Sequence, residues 1–339
     1  VNYDIVRDKR ILVTGGTGFV GSRVVPMLLR AGAKVTLLCR KSSHTENYPS
    51  SVRVLRTDLC KSQDFLPALC ECDIFIHMAA LLFGLGWQDY LKANCGAAQN
   101  LASMLRAAGD RGPKRVILVS SLAAAGPCDQ NEGRSENQPC EPVSAYGWSK
   151  VLTENIFRGA AQDRLVILRP PIIYGSGDLG LLPVYRGLAK GVGAVPGVGR
   201  RFPVSILHVD DMAQAIFLAC MDEAHGIYHL SDGDVWSMAE FYAAAAKALE
   251  CRAHIFHLPL WLMGMTALAS TGFAQLVRII LATNNRAPNW NLDKYREASQ
   301  CGWVASNRRI VEELGFRPTQ NLESGMAETI AGYKSFNLL

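Results

Sequence analysis

The sequence lacks most features that would set it apart from ordinary globular enzymes. Its 339 residues hold no internal repeat and no low-complexity tract, and with 49% apolar and 19% charged residues it is neither disordered, collagen-like nor a coiled coil. A dominant charge is missing too. Against 30 acidic residues stand 35 basic ones, and the basic clusters (Lys114-Arg115, Arg200-Arg201, Arg308-Arg309) are scattered pairs, so no nucleic-acid partner is expected. The ten cysteines contain no CxxC pair, only Cys70-x-Cys72, which predicts reduced thiols in a cytoplasmic protein. Residues 1–10 are polar and charged, so no signal peptide is expected there.

Long hydrophobic runs are absent with one exception. Residues 258–283 read LPLWLMGMTALASTGFAQLVRIILAT, with Arg278 as the only charge. The length suffices for a membrane span, but Pro259, Gly264, Gly272 and Gln275 favour a packed or interfacial helix, hence a peripheral membrane contact.

What is present is alternation. The apolar runs RILVT, KVTLLCR, VRVLRTD, DIFIHMAA, KRVILVSS and RLVILRP are separated by stretches long enough for crossover helices, which predicts a parallel sheet covered on both faces. Beyond Pro170 the chain becomes rich in glycine and proline. The reading is a nucleotide-binding domain over 1–175, completed by strands from about 204–232, and a smaller, loop-rich substrate lobe over 176–339.

The first strand runs into TGGTGFVG, which places Gly15, Gly18 and Gly21 at GxxGxxG spacing at the mouth of a helix. There, glycine lets the chain turn tightly and brings backbone N–H groups and the positive end of the helix dipole to a pyrophosphate. An acidic residue about 20 positions on would hold a ribose 2′-hydroxyl. Cys39-Arg40-Lys41 stands there instead, which suits a 2′-phosphate, so NADP(H) is the preferred cofactor and NAD(H) the second choice. The competing reading makes Arg40 and Lys41 ordinary solvated residues.

Tyr146-Gly-Trp-Ser-Lys150 puts a phenol and an ammonium on one face of a helix, where a nearby cation would lower the tyrosine pKa toward working pH. Upstream, Ser120-Ser121 ends a strand at the edge where parallel sheets bind ligands.

These motifs resemble the extended short-chain dehydrogenase/reductase superfamily, the NAD-dependent epimerase/dehydratase-like branch, whose TGxxGFxG pattern is similar to the run containing Thr17 and Phe19. The resemblance implies a Rossmann-type doubly wound α/β fold and Ser/Tyr/Lys catalysis by Ser121, Tyr146 and Lys150, with Ser120 as the alternative serine. It also implies cofactor contacts at Asp58 and Leu59 (RTDL), at Ala79 and Ala80 (HMAA), at Asn94, and at Pro171, Ile172 and Ile173 in LRPPIIYGSGD. Members are commonly dimers, which here would pair helices near 87–108 and 144–161.

Several other polar residues are read as structural. His208 is expected to be structural rather than catalytic, Asp210 or Asp211 to cap a helix, and Cys251, His254 and His257 to hold no metal for want of a fourth ligand.

RPPIIYG and RRFPVSILHVDD depart from the patterns of sugar-acting relatives and, with the apolar segment, resemble the dihydroflavonol reductase, 3β-hydroxysteroid dehydrogenase and sphingoid-ketone reductase side. The expected activity is reduction of a ketone, or oxidation of a secondary alcohol, on a hydrophobic small molecule. The alternatives are a nucleotide-sugar epimerase or dehydratase, for which Arg200-Arg201 would bind a diphosphate, and a catalytically silent NADP(H) sensor.

Overall fold

The structure, a computed structural model, describes residues 3–281 and 287–339, so the last two residues of the apolar segment, 282 and 283, lie outside the described residues. Six strands follow the predicted alternation: β1 (Arg10–Thr14), β2 (Lys34–Cys39), β3 (Arg53–Arg56), β4 (Ile74–His77), β5 (Arg115–Val119) and β6 (Leu165–Arg169). With Gly226–His229 they form one seven-stranded parallel sheet in the order Gly226–His229, β6, β5, β4, β1, β2, β3. The order reverses between β1 and β4, the crevice where doubly wound sheets bind nucleotides.

Side chains alternate across this sheet, and each face buries its own core. Ile11, Val13, Ile76 and Ile117 pack against Val24, Val25 and Leu28 of the Gly21–Arg30 helix and Met212 and Ile216 of the Val209–Leu218 helix. Leu12, Phe75, Val116 and Leu118 pack on the other side against Leu101, Leu105 and Phe157. Both faces are covered because a strand buried on both sides cannot carry polar residues toward water.

The rest of the chain builds a lobe of short paired strands. Ile172–Tyr174 pairs with Ile206–His208, Pro203–Val204 with Trp236–Ser237, and Val192–Pro196 with His254–Leu258. Its core is aromatic, with Tyr174, Tyr185, Phe241 and Tyr333 buried together. The Leu260–Ile280 helix lies on this lobe and packs on the short Leu292–Ala298 helix, where Gly264 meets the Tyr295 ring: a methyl there would stand 3.1 Å from a ring carbon.

Candidate active site

The glycine turn leaves β1 at its carboxyl end. Gly15 has φ +74°, and a Cβ on it would stand 2.7 Å from the backbone nitrogen of Ala79, so only glycine fits between the β1 and β4 ends. Gly21 opens the following helix so close to the turn that a Cβ would meet the Gly15 and Gly16 carbonyl oxygens at 2.3 Å. Thr17 and Gly18 are exposed at the tip, and Phe19 is half-buried beside Gly177. This is a cradle of backbone at a helix N-terminus, and it fits a dinucleotide pyrophosphate.

Around it stand the other residues named from sequence. Arg40 is exposed just beyond β2, in a loop pinned by Arg56, whose guanidinium donates to the carbonyls of Lys41 (3.0 Å) and Ser43 (2.9 Å). Asp58 is exposed after β3 and accepts from the Cys60 N–H, while the Leu59 carbonyl is held by Asn100. Ala79 and Ala80 follow β4, and Pro171, Ile172 and Ile173 follow β6, all at the carboxyl edge of the sheet. Asn94 is buried, and its amide is used within the chain: it accepts from Leu81 N–H at 2.7 Å and donates to Ser149 Oγ at 3.1 Å, which holds the segment after Ala80 in place.

The Ala145–Ala161 helix carries Tyr146 and Lys150, and Ser144 caps it. Ser121 caps the adjacent Leu122–Ala125 turn, and its side chain is one of the groups that lower the Tyr146 phenol pKa. Ser120 points elsewhere, donating to Glu154 at 2.5 Å. The two neighbouring serines alternate across the strand end, so only Ser121 meets the tyrosine.

The electrostatics differ from the sequence expectation. Burial pushes the Tyr146 phenol above its ordinary pKa. Lys150 is not the cation that opposes this rise. Its ammonium donates to the Val119 carbonyl at 2.9 Å, and burial lowers its pKa to about 8. The opposing charge is Lys294, from the other end of the chain, whose Nζ stands 4.6 Å from the centroid of the Tyr146 ring.

Sequence reasoning missed this neighbourhood. Asp293 accepts from the N–H groups of Ala145 (2.7 Å) and Tyr146 (3.1 Å), satisfying two free donors at the start of the Ala145–Ala161 helix. Glu297 accepts from Ser144 Oγ at 2.6 Å and from Lys294 at 2.8 Å. The only signal was a short polar run, NLDKYRE, next to an apolar one. Glu154 and Arg169 were missed as well: both are fully buried and pair at 2.6 Å below the serines.

The residues read as structural also find their places. His208, rather than Asp210 or Asp211, is the cap of the Val209–Leu218 helix, because its ring accepts from the Asp210 N–H. Asp210 pairs with Arg23 at 3.2 Å, and buried Asp211 accepts from Thr319 and Gln320. Cys251 is bonded to the Leu188 carbonyl and His257 to that of Gly197.

Comparison with known proteins shows the family and the fold. A family model described as the NAD dependent epimerase/dehydratase family matches residues 11–230. A ceramide reductase of Caulobacter vibrioides is 28% identical over 328 residues, covering 96% of this chain and 94% of the relative. A UDP-glucose 4-epimerase of Vibrio cholerae is 29% identical over 273 residues, covering 75% and 80% of the two chains. Among solved structures, a Thermus thermophilus UDP-glucose 4-epimerase in complex with NAD superposes with a TM-score of 0.73 at 23% identity, covering 96% of this chain and 99% of that one.

Proposed function

Because the chain belongs to the NAD-dependent epimerase/dehydratase family of extended short-chain dehydrogenases/reductases, and so is an NAD(P)-dependent enzyme, we propose that it is an NADP(H)-dependent oxidoreductase that interconverts a ketone and a secondary alcohol on a hydrophobic, lipid-like small molecule. The observation that carries the substrate class is the Leu260–Ile280 helix. Trp261, Phe273 and Ile279 are 66%, 70% and 78% exposed, and Met265, Leu268 and Leu276 join them at helical spacing, while Met263, Ala267 and Thr271 face inward. This outward apolar stripe lies at the rim of the site. Its helix packs on the Leu292–Ala298 helix that touches Tyr146, and its Arg278 pairs at 2.9 Å with Asp89, next to the Tyr90 ring that also lies against Tyr146.

The inward contacts and the Arg278–Asp89 pair favour a helix that lies on a membrane surface over one that crosses it. A lipid ketone would then enter from the bilayer without first crossing water. The Caulobacter relative's name, ceramide reductase, points to the same substrate class. With vesicles containing an anionic lipid, the protein is expected to co-sediment, and Phe273→Glu/Ile279→Glu to remain soluble and folded in the supernatant. Equal binding of both would remove the membrane reading.

In the reduction, Ser121 and Tyr146 fix the substrate carbonyl oxygen with two donors, and Tyr146 passes its proton to that oxygen as negative charge develops there. When bound, the nicotinamide supplies the hydride, or takes it in the reverse direction. Lys150 stands one turn along the same helix face and would hold the nicotinamide ribose, while Lys294 is the cation that faces the tyrosine. Gly15, Gly18 and Gly21 would hold the pyrophosphate and Arg40 the 2′-phosphate. Arg40→Glu is expected to weaken NADPH binding by about tenfold to a hundredfold and NADH binding little, measured by nicotinamide fluorescence titration. Equal losses for both cofactors would reassign Arg40 to the solvated surface. A homodimer through residues 87–108 and 144–161 is supported by the exposed Trp87 and Trp148.

The test of the activity is turnover on organic and aqueous extracts with NADP(H), following nicotinamide absorbance and product masses together. Net cofactor change confined to the organic extract is the expected result. A second reading, nucleotide-sugar epimerase or dehydratase, is favoured by a cavity of about 430 Å³ that Arg200 and Arg201 line with Ser237 and His257. Product from the aqueous extract without net cofactor change would put that reading first.

A further inference from the structure

The Leu292–Ala298 helix does more than pack on the catalytic helix. It brings three charged residues to the Tyr146 turn: Asp293 on the backbone N–H groups of Ala145 and Tyr146, Glu297 on Ser144, and Lys294 over the Tyr146 ring. Lys294 is held on three sides, by Glu297 at 2.8 Å, by the Tyr146 ring at 4.6 Å and by the Phe83 ring at 5.6 Å, with its side chain only 20% exposed. A flexible ammonium is ordinarily found in water. Here it is fixed against a phenol that must exchange a proton.

We propose that Lys294 is a positioning residue of the catalytic centre, acting through Tyr146: its ammonium, aimed by Glu297 at the face of the phenol ring, stabilises the phenolate and so sets the pH range in which Tyr146 exchanges its proton. This inference rests on the reading of Tyr146 as the proton-transferring group. The physical basis is the attraction between a cation and the ring face, which grows when the ring gains the negative charge of a phenolate and when water is excluded. The groups facing Tyr146 are few: Lys294 and Glu297 from this helix, with Asp293 on its backbone; Tyr90 from the Trp87–Tyr90 turn, 5.8 Å away ring to ring; Ser121 at its hydroxyl; and Lys150 from its own helix, which is engaged with Val119. Burial raises the phenol, Lys294 and Ser121 lower it, and Glu297 raises it. Burial by itself would lower the Lys294 ammonium, but Glu297 and Tyr146 hold it above the ordinary lysine range.

The signs follow. In alcohol oxidation the substrate O–H proton passes to Tyr146, so activity rises with pH through the Tyr146 pKa. Lys294→Met should move that rise up by about one pH unit, with roughly tenfold less turnover at neutral pH and recovery at high pH. Lys294→Gln, which keeps an N–H donor for Glu297 and removes the charge, should move it up in the same direction. Lys294→Arg should stay near wild type.

The experiment has two readouts on the full-length protein. One is the pH profile of kcat/KM for oxidation of a short-chain ceramide with NADP. The other needs no substrate: near-ultraviolet phenolate absorbance, taken as the difference between each variant and the same variant carrying Tyr146→Phe. Upward shifts in Lys294→Met and Lys294→Gln, with Lys294→Arg near wild type, support the inference, and Lys294→Gln reads the sign if Lys294→Met is poorly folded. Phenolate titrations of both variants that coincide with wild type overturn it. Full turnover by Tyr146→Phe would overturn the catalytic reading instead, and the two failures are distinguished because the titration does not depend on turnover.

Discussion

Tyr146→Phe is expected to lower turnover by about two to four orders of magnitude and to leave the cofactor dissociation constant within about twofold of wild type. The substitution removes one oxygen and keeps the ring. The packing of that ring against Tyr90 and the Lys294 ammonium survives, so the folded state loses little. What disappears is the phenol oxygen on the Ser121 side, the group proposed to pass a proton to the substrate oxygen. Ser121 would remain as a single donor, still capped on the Ala123 N–H at 3.2 Å, and one neutral donor cannot replace a positioned acid. Stopped-flow hydride transfer and NADPH fluorescence separate the two effects. Turnover within tenfold of wild type would take Tyr146 out of the chemistry.

Arg169→Leu should destabilise the protein by about 3–5 kcal/mol, the largest stability effect expected of any single change discussed. Arg169 is 1% exposed and Glu154 fully buried, and two hydrogen bonds of 2.9 and 2.6 Å join them. Removing the guanidinium leaves a buried carboxylate with Ser120 and the distal Arg158 as its partners, and also strips the Cys140 thiol and the His229 ring of a neighbour. A charge stranded in a low-dielectric interior costs more than the pair contributes when intact. The double variant Glu154→Leu/Arg169→Leu should therefore recover much of the loss. Urea unfolding of the two variants and wild type measures this. A loss under about 1 kcal/mol in Arg169→Leu would show that water reaches the pair. Because Glu154 sits one turn beyond Lys150 on the catalytic helix, the pair also anchors the helix that presents Tyr146 to the site.

What could be read in the sequence follows from range. The parallel sheet, the strand ends and the glycine cradle are local patterns: apolar runs of strand length, a turn that only glycine can make at Gly15, and crossover stretches between them. Tyr146 and Lys150 were legible because helical spacing puts them on one face whatever surrounds them. The expectation that Lys150 would be the cation acting on Tyr146 failed for the complementary reason: a shared face does not fix where a four-carbon side chain ends, and Val119 offers it a carbonyl.

Separations of roughly 150 residues hid the rest. Asp293, Lys294 and Glu297 lie in a run with no recognisable pattern, and their meaning comes only from the packing that sets them on the Tyr146 turn. The apolar segment could be seen in composition, yet which of its residues face the lobe and which face outward was decided by the Leu292–Ala298 helix against which it lies. Sequence by itself determined the order of the sheet strands and the glycine turn at the end of β1, because short-range sterics and periodicity suffice for both. Tertiary structure alone decided which charge faces the Tyr146 phenol, because that charge arrives from a segment no local rule connects to it.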